Sequence, residues 1–76
     1  SKTEAGDSKG AISDYTQAIR FNSSLAEAYG SRGILYAQTG NKSLALQDLQ
    51  QAAQLFQQQG NQQGYQQTMN LIRQVQ

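Results

Sequence analysis

Apolar side chains recur along this chain at steps of three and four residues, which is the spacing of one face of an α-helix. The first such stretch contains Ala11, Ile12, Tyr15, Ala18, Ile19 and Phe21. It predicts a helix from about Ser8 to Asn22, with Asp7 as its N-cap. Ser24 and Glu27 have the spacing of a capping box, so a second helix is predicted from there to about Thr39.

The second half of the chain repeats this organisation. A third helix is predicted after Asn41 and extends to about Gln59. Its apolar positions are Leu44, Ala45, Leu46, Leu49, Ala52, Ala53, Leu55 and Phe56. A fourth helix is predicted after Asn61, and its apolar side contains Tyr65, Met69, Ile72 and Val75. Proline is absent, so the glycines at positions 6, 40 and 60, each followed by Asp or Asn, are predicted to end one helix and cap the next. The sequence therefore predicts an all-α fold of four antiparallel helices.

The chain also matches itself when it is shifted by 34 residues. Gly6-Asp7 then falls on Gly40-Asn41, Ala11 on Ala45, Ile12 on Leu46, Asp14 on Asp48, Tyr15 on Leu49, Gln17-Ala18 on Gln51-Ala52 and Phe21 on Leu55. A period near 34 residues, built from two helices, is the tetratricopeptide period. The sequence resembles tetratricopeptide-repeat (TPR) proteins, most closely the bacterial members.

The resemblance is carried by one complete repeat. With Ala26 as its first position, the family's aromatic, glycine, tyrosine and small positions fall on Tyr29, Gly33, Tyr36, Ala45 and Ala52. Arg32, Leu49 and Gln57 depart from the family pattern. The resemblance implies a solenoid with residues 1–76 as a single domain. Residues 6–25 would form the second helix of a truncated repeat, residues 26–59 the complete repeat, and residues 60–76 a capping helix. Gly33 and Ala45 mark a predicted helix crossing.

By the same resemblance, the chain would be a scaffold that binds a peptide or protein segment on its concave face and performs no catalysis. On the second helix, the family's ligand-facing positions are Glu27, Gly30, Ile34, Ala37 and Gln38. On the fourth, with Tyr65 placed at the aromatic position, they are Gln63, Gln66, Asn70, Arg73 and Gln74. These residues predict a groove with one apolar and one amide-lined wall, which suits a peptide of low charge. The family's carboxylate clamp is not expected, because Ser31, Gln63 and Gln67 occupy its positions.

A structural role is the alternative, in which the chain stacks on further repeats or on a copy of itself. Ala11, Tyr15 and Ala18 would pack against a preceding helix in a complete repeat. Their apolar surface therefore predicts self-association, as a homodimer formed through the first helix or by exchange of a helix between copies. The residues before Gly6 resemble the last turn of a lost helix, so a trimmed piece of a longer protein is expected.

Composition limits the chemistry that the chain can perform. It has no cysteine and no histidine, and its only acids are Glu4, Asp7, Asp14, Glu27 and Asp48. Asp14 and Asp48 are interpreted as equivalent surface positions. No catalytic residue, metal site or cofactor is predicted, so the chain is not expected to be an enzyme. With a net charge of +1 and scattered basic residues, no nucleic-acid partner is expected. No apolar run reaches the ~20 residues of a membrane helix. We therefore expect no membrane insertion and a soluble, cytoplasmic protein.

Glutamine is concentrated in the second half of the chain, where thirteen of the fifteen glutamines lie between Gln47 and Gln76. Such a segment can be interpreted as a self-associating polar tract. The other interpretation is that glutamine fills exposed helix positions, because it is an uncharged helix former. The apolar periodicity continues through the glutamines and favours the second interpretation.

Overall fold

The computed structural model describes residues 5–76, with side chains from residue 8 onward. Its four α-helices are α1 (Ala5–Phe21), α2 (Ala26–Gln38), α3 (Lys42–Gln58) and α4 (Gln62–Val75). No strand occurs in these residues. Each helix packs against the next along the chain, and α2 also touches α4. The predicted all-α fold of four helices is confirmed.

Two predicted helix starts are wrong. Helix α1 begins at Ala5, so Gly6 and Asp7 lie inside it and do not separate two helices. The last turn of a preceding helix, predicted before Gly6, falls mainly on residues 1–4, which lie outside the described residues. Helix α2 has Leu25 as its N-cap, without a side-chain capping bond. The predicted capping box does not form, because the N-cap is one residue after Ser24, the residue predicted for that position. The Ser24 N–H donates to Asn22 Oδ1.

The turns after α2 and α3 share one geometry. Gly40 and Gly60 have φ values of 87° and 75°, a left-handed conformation that glycine adopts without strain. In the first turn, the Gly40 N–H donates to the carbonyl of Ala37, and the Asn41 N–H donates to that of Tyr36. The second turn repeats both bonds from residues 60 and 61. These are Schellman motifs, and they confirm the predicted glycine stops at 40 and 60.

The predicted asparagine caps differ from each other. The Asn61 side chain accepts from the Gly64 N–H at 2.9 Å, which confirms the predicted cap. Asn41 occupies the N-cap position of α3, but its side chain makes no capping bond. Its amide nitrogen lies 3.4 Å from Thr39 Oγ1, in the preceding turn.

The core lies mainly where α2, α3 and α4 meet, and α1 contributes Ile19 to it. Its buried apolar residues are Ile19, Ala26, Ala28, Ala45, Leu49, Ala52, Ala53, Leu55, Phe56 and Ile72. Tyr29 and Tyr65 pack against the part of this core that contains Phe56, as their helical spacing predicts. Most core members belong to α3, because that helix is covered by neighbours on two sides.

Close backbone approach holds α2 on α3. A Cβ atom added at Gly33 would lie 3.1 Å from the Ala45 carbonyl oxygen and 3.0 Å from Leu49 Cγ. The predicted crossing at Gly33 and Ala45 is therefore confirmed, because a larger side chain there would separate the two backbones. A second close approach joins α3 to α4, where a Cβ at Gly64 would lie 2.5 Å from the Phe56 ring.

Candidate functional site

A groove of about 450 Å³ opens between α2 and α4. Ile34, Ala37 and Gln38 come from α2, at the i, i+3 and i+4 spacing that places side chains on one face of a helix. The facing wall and the floor are formed by Leu71, Gln74 and Val75 of α4 and Leu49 of α3, with Gly40 and Lys42 at one end. The groove is thus mainly apolar, with two amides and one ammonium group among its lining residues.

The α4 wall differs from the predicted one. Of the predicted residues on this helix, only Gln74 lines the groove. Gln63, Gln66, Asn70 and Arg73 are exposed and are not among its lining residues. Leu71 and Val75 line it instead, so the wall is apolar rather than amide-lined. This displacement corresponds to one residue, or roughly 100° of helix rotation.

Packing against α3 causes this rotation of α4. Thr68 and Ile72 are the buried residues of the helix, and they fix which side faces inward. The Thr68 hydroxyl donates to the Gly64 carbonyl at 2.7 Å, so its polar group can be buried without losing a hydrogen bond. Leu71 and Val75 flank this buried side and therefore reach the groove. The apolar pair Leu71-Ile72 was the sequence signal for the true wall.

The predicted residues at the start of α2 lie elsewhere. Glu27 is exposed and lines a separate shallow depression with Asn22 and Gln59. Gly30 is half-buried, and a Cβ there would lie 3.8 Å from Ala52 Cβ on α3. The structure therefore brings together Ile34, Ala37, Gln38 and Gln74 from the predicted set, and it leaves Glu27 and Gly30 outside the groove.

An ion pair joins α2 to α3, and its two side chains are 16% and 8% exposed. Arg32 Nε donates to Asp48 Oδ2 at 2.7 Å, and its Nη2 donates to Oδ1 at 2.8 Å. Its Nη1 also donates to Thr16 Oγ1 on α1 at 3.1 Å. One guanidinium thus joins three helices through hydrogen bonds to two side chains. The predicted surface position of Asp48 is wrong, since only 6% of this residue is exposed.

Two tyrosines flank this guanidinium. Arg32 Cζ lies 5.6 Å from the ring centroid of Tyr29 and 5.7 Å from that of Tyr36, within reach of a cation–π contact. The side-chain hydrogen bonds to Asp48 raise the pKa of Arg32, although burial acts in the opposite direction. The i−3 and i+4 tyrosines around one arginine were a sequence signal for this arrangement.

The face of α1 that was predicted to self-associate is only partly open. Ala11, Tyr15 and Ala18 are half-buried. Ala11 and Tyr15 line a cavity of about 260 Å³ that they share with Ser31, Ile34 and Leu35 of α2. Phe21, at the end of α1, is 91% exposed. The helix therefore has a covered edge toward α2 and an open edge that ends at Phe21.

No three His, Cys, Asp or Glu side chains in the part of the chain that the structure describes are grouped so that they could hold a metal ion. None of its helices has the length and apolar character needed to cross a bilayer. Comparison of the chain with family models, curated proteins and solved structures found no match.

Proposed function

We propose that this chain is a tetratricopeptide-repeat module that binds a peptide segment of low charge in the groove between α2 and α4. Three features support the repeat assignment. The 34-residue self-match relates α1 to α3, the close approach at Gly33 and Ala45 lies at the expected crossing, and the Schellman turns at Gly40 and Gly60 end successive helices.

The observation that carries the binding proposal is the apolar groove itself. Ile34 is 36% exposed, although Gly30 and Ala37 on the same side of α2 are half-buried. Leu71 and Val75 face it across the groove. An open concave site with apolar walls and few polar groups is the usual form of a ligand pocket. An apolar side chain of a bound peptide would cover Ile34 and Leu71.

The polar groups define the rest of the ligand. Gln38 and Gln74 offer amide donors and acceptors from opposite walls, and these suit the backbone of an extended or helical peptide. Among the described residues that line the groove, Lys42 is the ionisable one. A peptide with an apolar anchor and at most one acidic group matches this lining, whereas a strongly acidic tail would meet a single cation.

The test uses a phage-displayed random peptide library, selected on the wild-type chain and counter-selected on Ile34→Asp. A selected peptide is then synthesised, and its affinity is measured by calorimetry. We expect Ile34→Asp and Leu71→Asp each to weaken binding by about tenfold or more, because each removes apolar cover and places a charge in the groove. In ¹⁵N spectra, the side-chain amides of Gln38 and Gln74 should shift when the peptide binds.

Arg73→Glu is the matched control. Arg73 is on α4 and exposed, but it is not among the residues that line the groove. Its charge reversal should leave affinity and helicity nearly unchanged. If Arg73→Glu weakened the peptide while Leu71→Asp did not, the binding face would be the outer side of α4 and the proposal would be wrong.

A further inference from the structure

The turn between α1 and α2 holds an asparagine in a setting that the other asparagines of the chain do not share. Asn22 comes directly after the last residue of α1, and both Asn22 and Ser23 are exposed. The residues that follow the other three asparagines are Lys42, Gln62 and Leu71, and each of these lies inside a helix. Ser23 lies outside the helices, so the backbone that follows Asn22 is not held by a helix.

Hydrogen bonds fold the Asn22 side chain against its own backbone. Its Oδ1 accepts from the Ser24 N–H at 3.0 Å, which turns the side chain forward along the chain, over the Ser23 nitrogen that lies between the two groups. The Leu25 N–H donates to the Asn22 carbonyl at 3.3 Å and closes the turn. In the part of the chain that the structure describes, the Ser23 N–H donates no hydrogen bond, so its nitrogen is available for reaction.

We propose that Asn22 is a site of spontaneous covalent modification, in which the backbone nitrogen of Ser23 attacks the side-chain carbonyl carbon of Asn22. The new N–Cγ bond closes a succinimide ring, the Cγ–Nδ2 bond breaks, and ammonia leaves with the proton of the Ser23 N–H. Water then opens the ring at either of its carbonyl carbons and gives aspartate or isoaspartate at this position. The reaction is independent of the peptide groove between α2 and α4.

The Ser24 N–H favours this reaction, because it points at the atom on which negative charge develops. Attack on Cγ turns Oδ1 of Asn22 into an oxyanion, and a backbone donor 3.0 Å away is close enough to stabilise that charge. Asn61 has a similar donor, since the Gly64 N–H lies 2.9 Å from its Oδ1. The nitrogen that would attack Asn61 belongs to Gln62, however, and it is fixed in the first turn of α4.

Isoaspartate changes the turn more than aspartate does. The main chain of isoaspartate runs through the former side chain, so the carbonyl that accepts from the Leu25 N–H becomes a carboxylate outside the main chain. The Ser24 carbonyl accepts from Gln59 Nε2 at 2.8 Å, and this link to the end of α3 depends on the same turn. We therefore expect isoaspartate to loosen α1, which the turn joins to α2, and to leave the packing of α3 unchanged.

Peptide mapping of the full chain tests the modification. The folded chain is incubated at mildly alkaline pH, where a backbone nitrogen loses its proton more readily, and samples are digested with trypsin. The tryptic peptides 21–32 and 33–42 each contain one asparagine, which is Asn22 in the first and Asn41 in the second. Mass spectrometry then measures the loss of the amide. We expect most of Asn22 to be converted, to isoaspartate as well as aspartate, while Asn41 keeps its amide.

Two variants test the attack by the backbone nitrogen. Ser23→Val places a β-branched side chain at an exposed position, where it crowds the attacking nitrogen, and conversion of Asn22 should fall strongly. Ser24→Ala is the matched control, because it keeps the backbone N–H that bonds to Asn22 Oδ1 and changes only an exposed side chain. This variant should convert as the wild type does. Circular dichroism checks that both variants keep their helices.

Hydrogen exchange tests the structural consequence. In chains that contain isoaspartate, the amides of α1 should exchange faster than in the fresh chain, whereas those of α3 should exchange as before. Equal exchange of α1 in fresh and converted chains would overturn the expected loosening.

Four outcomes of the mapping would overturn the modification site itself. They are retention of the Asn22 amide in the folded chain, conversion that occurs only after unfolding in urea, equal conversion of the wild type and Ser23→Val, and aspartate as the sole product. The last outcome would mean that water attacks the side chain directly and that no succinimide forms.

Discussion

Helices α1 and α3 have matched sequences but different surroundings. Helix α3 is covered by α2 on one side and by α4 on the other, whereas α1 packs against α2 alone among its neighbours along the described chain. As a result, Leu55 is 7% exposed and its counterpart Phe21 is 91% exposed. Burial of these two helices is thus set by the helices that pack beside them.

The two aspartates show the same contrast in polar terms. Asp48 is buried because Arg32 supplies two hydrogen bonds, which offset the cost of removing its charge from water. Asp14 is exposed and retains its hydration. Equivalent carboxylates therefore have different energetic roles, and substitution at the two sites separates those roles.

The largest expected effect comes from breaking the buried pair. Asp48→Ala leaves the guanidinium of Arg32 without its carboxylate, and because this side chain is still 16% exposed, the cost should lie near the lower end of the about 3–5 kcal/mol that breaking a buried pair takes from the unfolding free energy. The corresponding change at Asp14 should alter that free energy by less than about 0.5 kcal/mol. Urea denaturation followed by circular dichroism measures both.

A double variant, in which Arg32→Met is added, tests whether the lost stability comes from the unpaired charge. When Arg32→Met is combined with Asp48→Leu, both charges are replaced by apolar groups, and much of the lost stability should return. A midpoint for Asp48→Ala equal to that of Asp14→Ala would mean that the ion pair contributes nothing, and that burial does not distinguish the two helices.

A smaller effect is expected from filling the helix crossing. Ala45 is completely buried beneath Gly33, so Ala45→Leu would force α2 and α3 apart, at a cost of about 1–3 kcal/mol. Ala11→Leu adds the same atoms at the equivalent position of α1, which is half-buried beside an open edge. That variant should lose much less stability. Thermal melting of the pair checks the difference, and equal losses would contradict the repeat alignment.

Apolar periodicity was sufficient to predict the four helices, and the Gly-Asn steps predicted the turns at Gly40 and Gly60. The periodicity succeeded because apolar side chains at steps of three and four residues are required wherever a helix covers a core. The helix starts were less well predicted. Ser24 had the spacing of a capping box with Glu27, but the turn is instead shaped by the Asn22 side chain, and Leu25 precedes the helix.

The details of the candidate site could not be predicted from the sequence, for two physical reasons. An aspartate and an arginine sixteen residues apart look like solvated surface groups until two helices bring them together. The rotation of α4 about its axis is set by Thr68 and Ile72, which are the residues that it buries. The many glutamines of this helix give little indication of which side faces inward. The α2 wall at Ile34 and Ala37 was thus predicted correctly, whereas the predicted α4 wall lies one residue away from the observed one.

The smallest expected effect comes from replacing a glycine by alanine, either at Gly10 on the open helix α1 or at Gly33, where α2 covers α3. A Cβ at Gly10, on α1, would meet nothing within 4 Å, so Gly10→Ala should stabilise the chain by about 0.5–1 kcal/mol through reduced backbone entropy of the unfolded state. A Cβ at Gly33 would lie 3.1 Å from a backbone oxygen of α3, which cannot move aside as a side chain can. Gly33→Ala should therefore destabilise the chain despite the same gain in helix propensity. Opposite signs in the urea midpoints would support the difference between an open α1 and a covered α3, whereas stabilisation by both alanines would mean that α2 and α3 do not approach closely at Gly33.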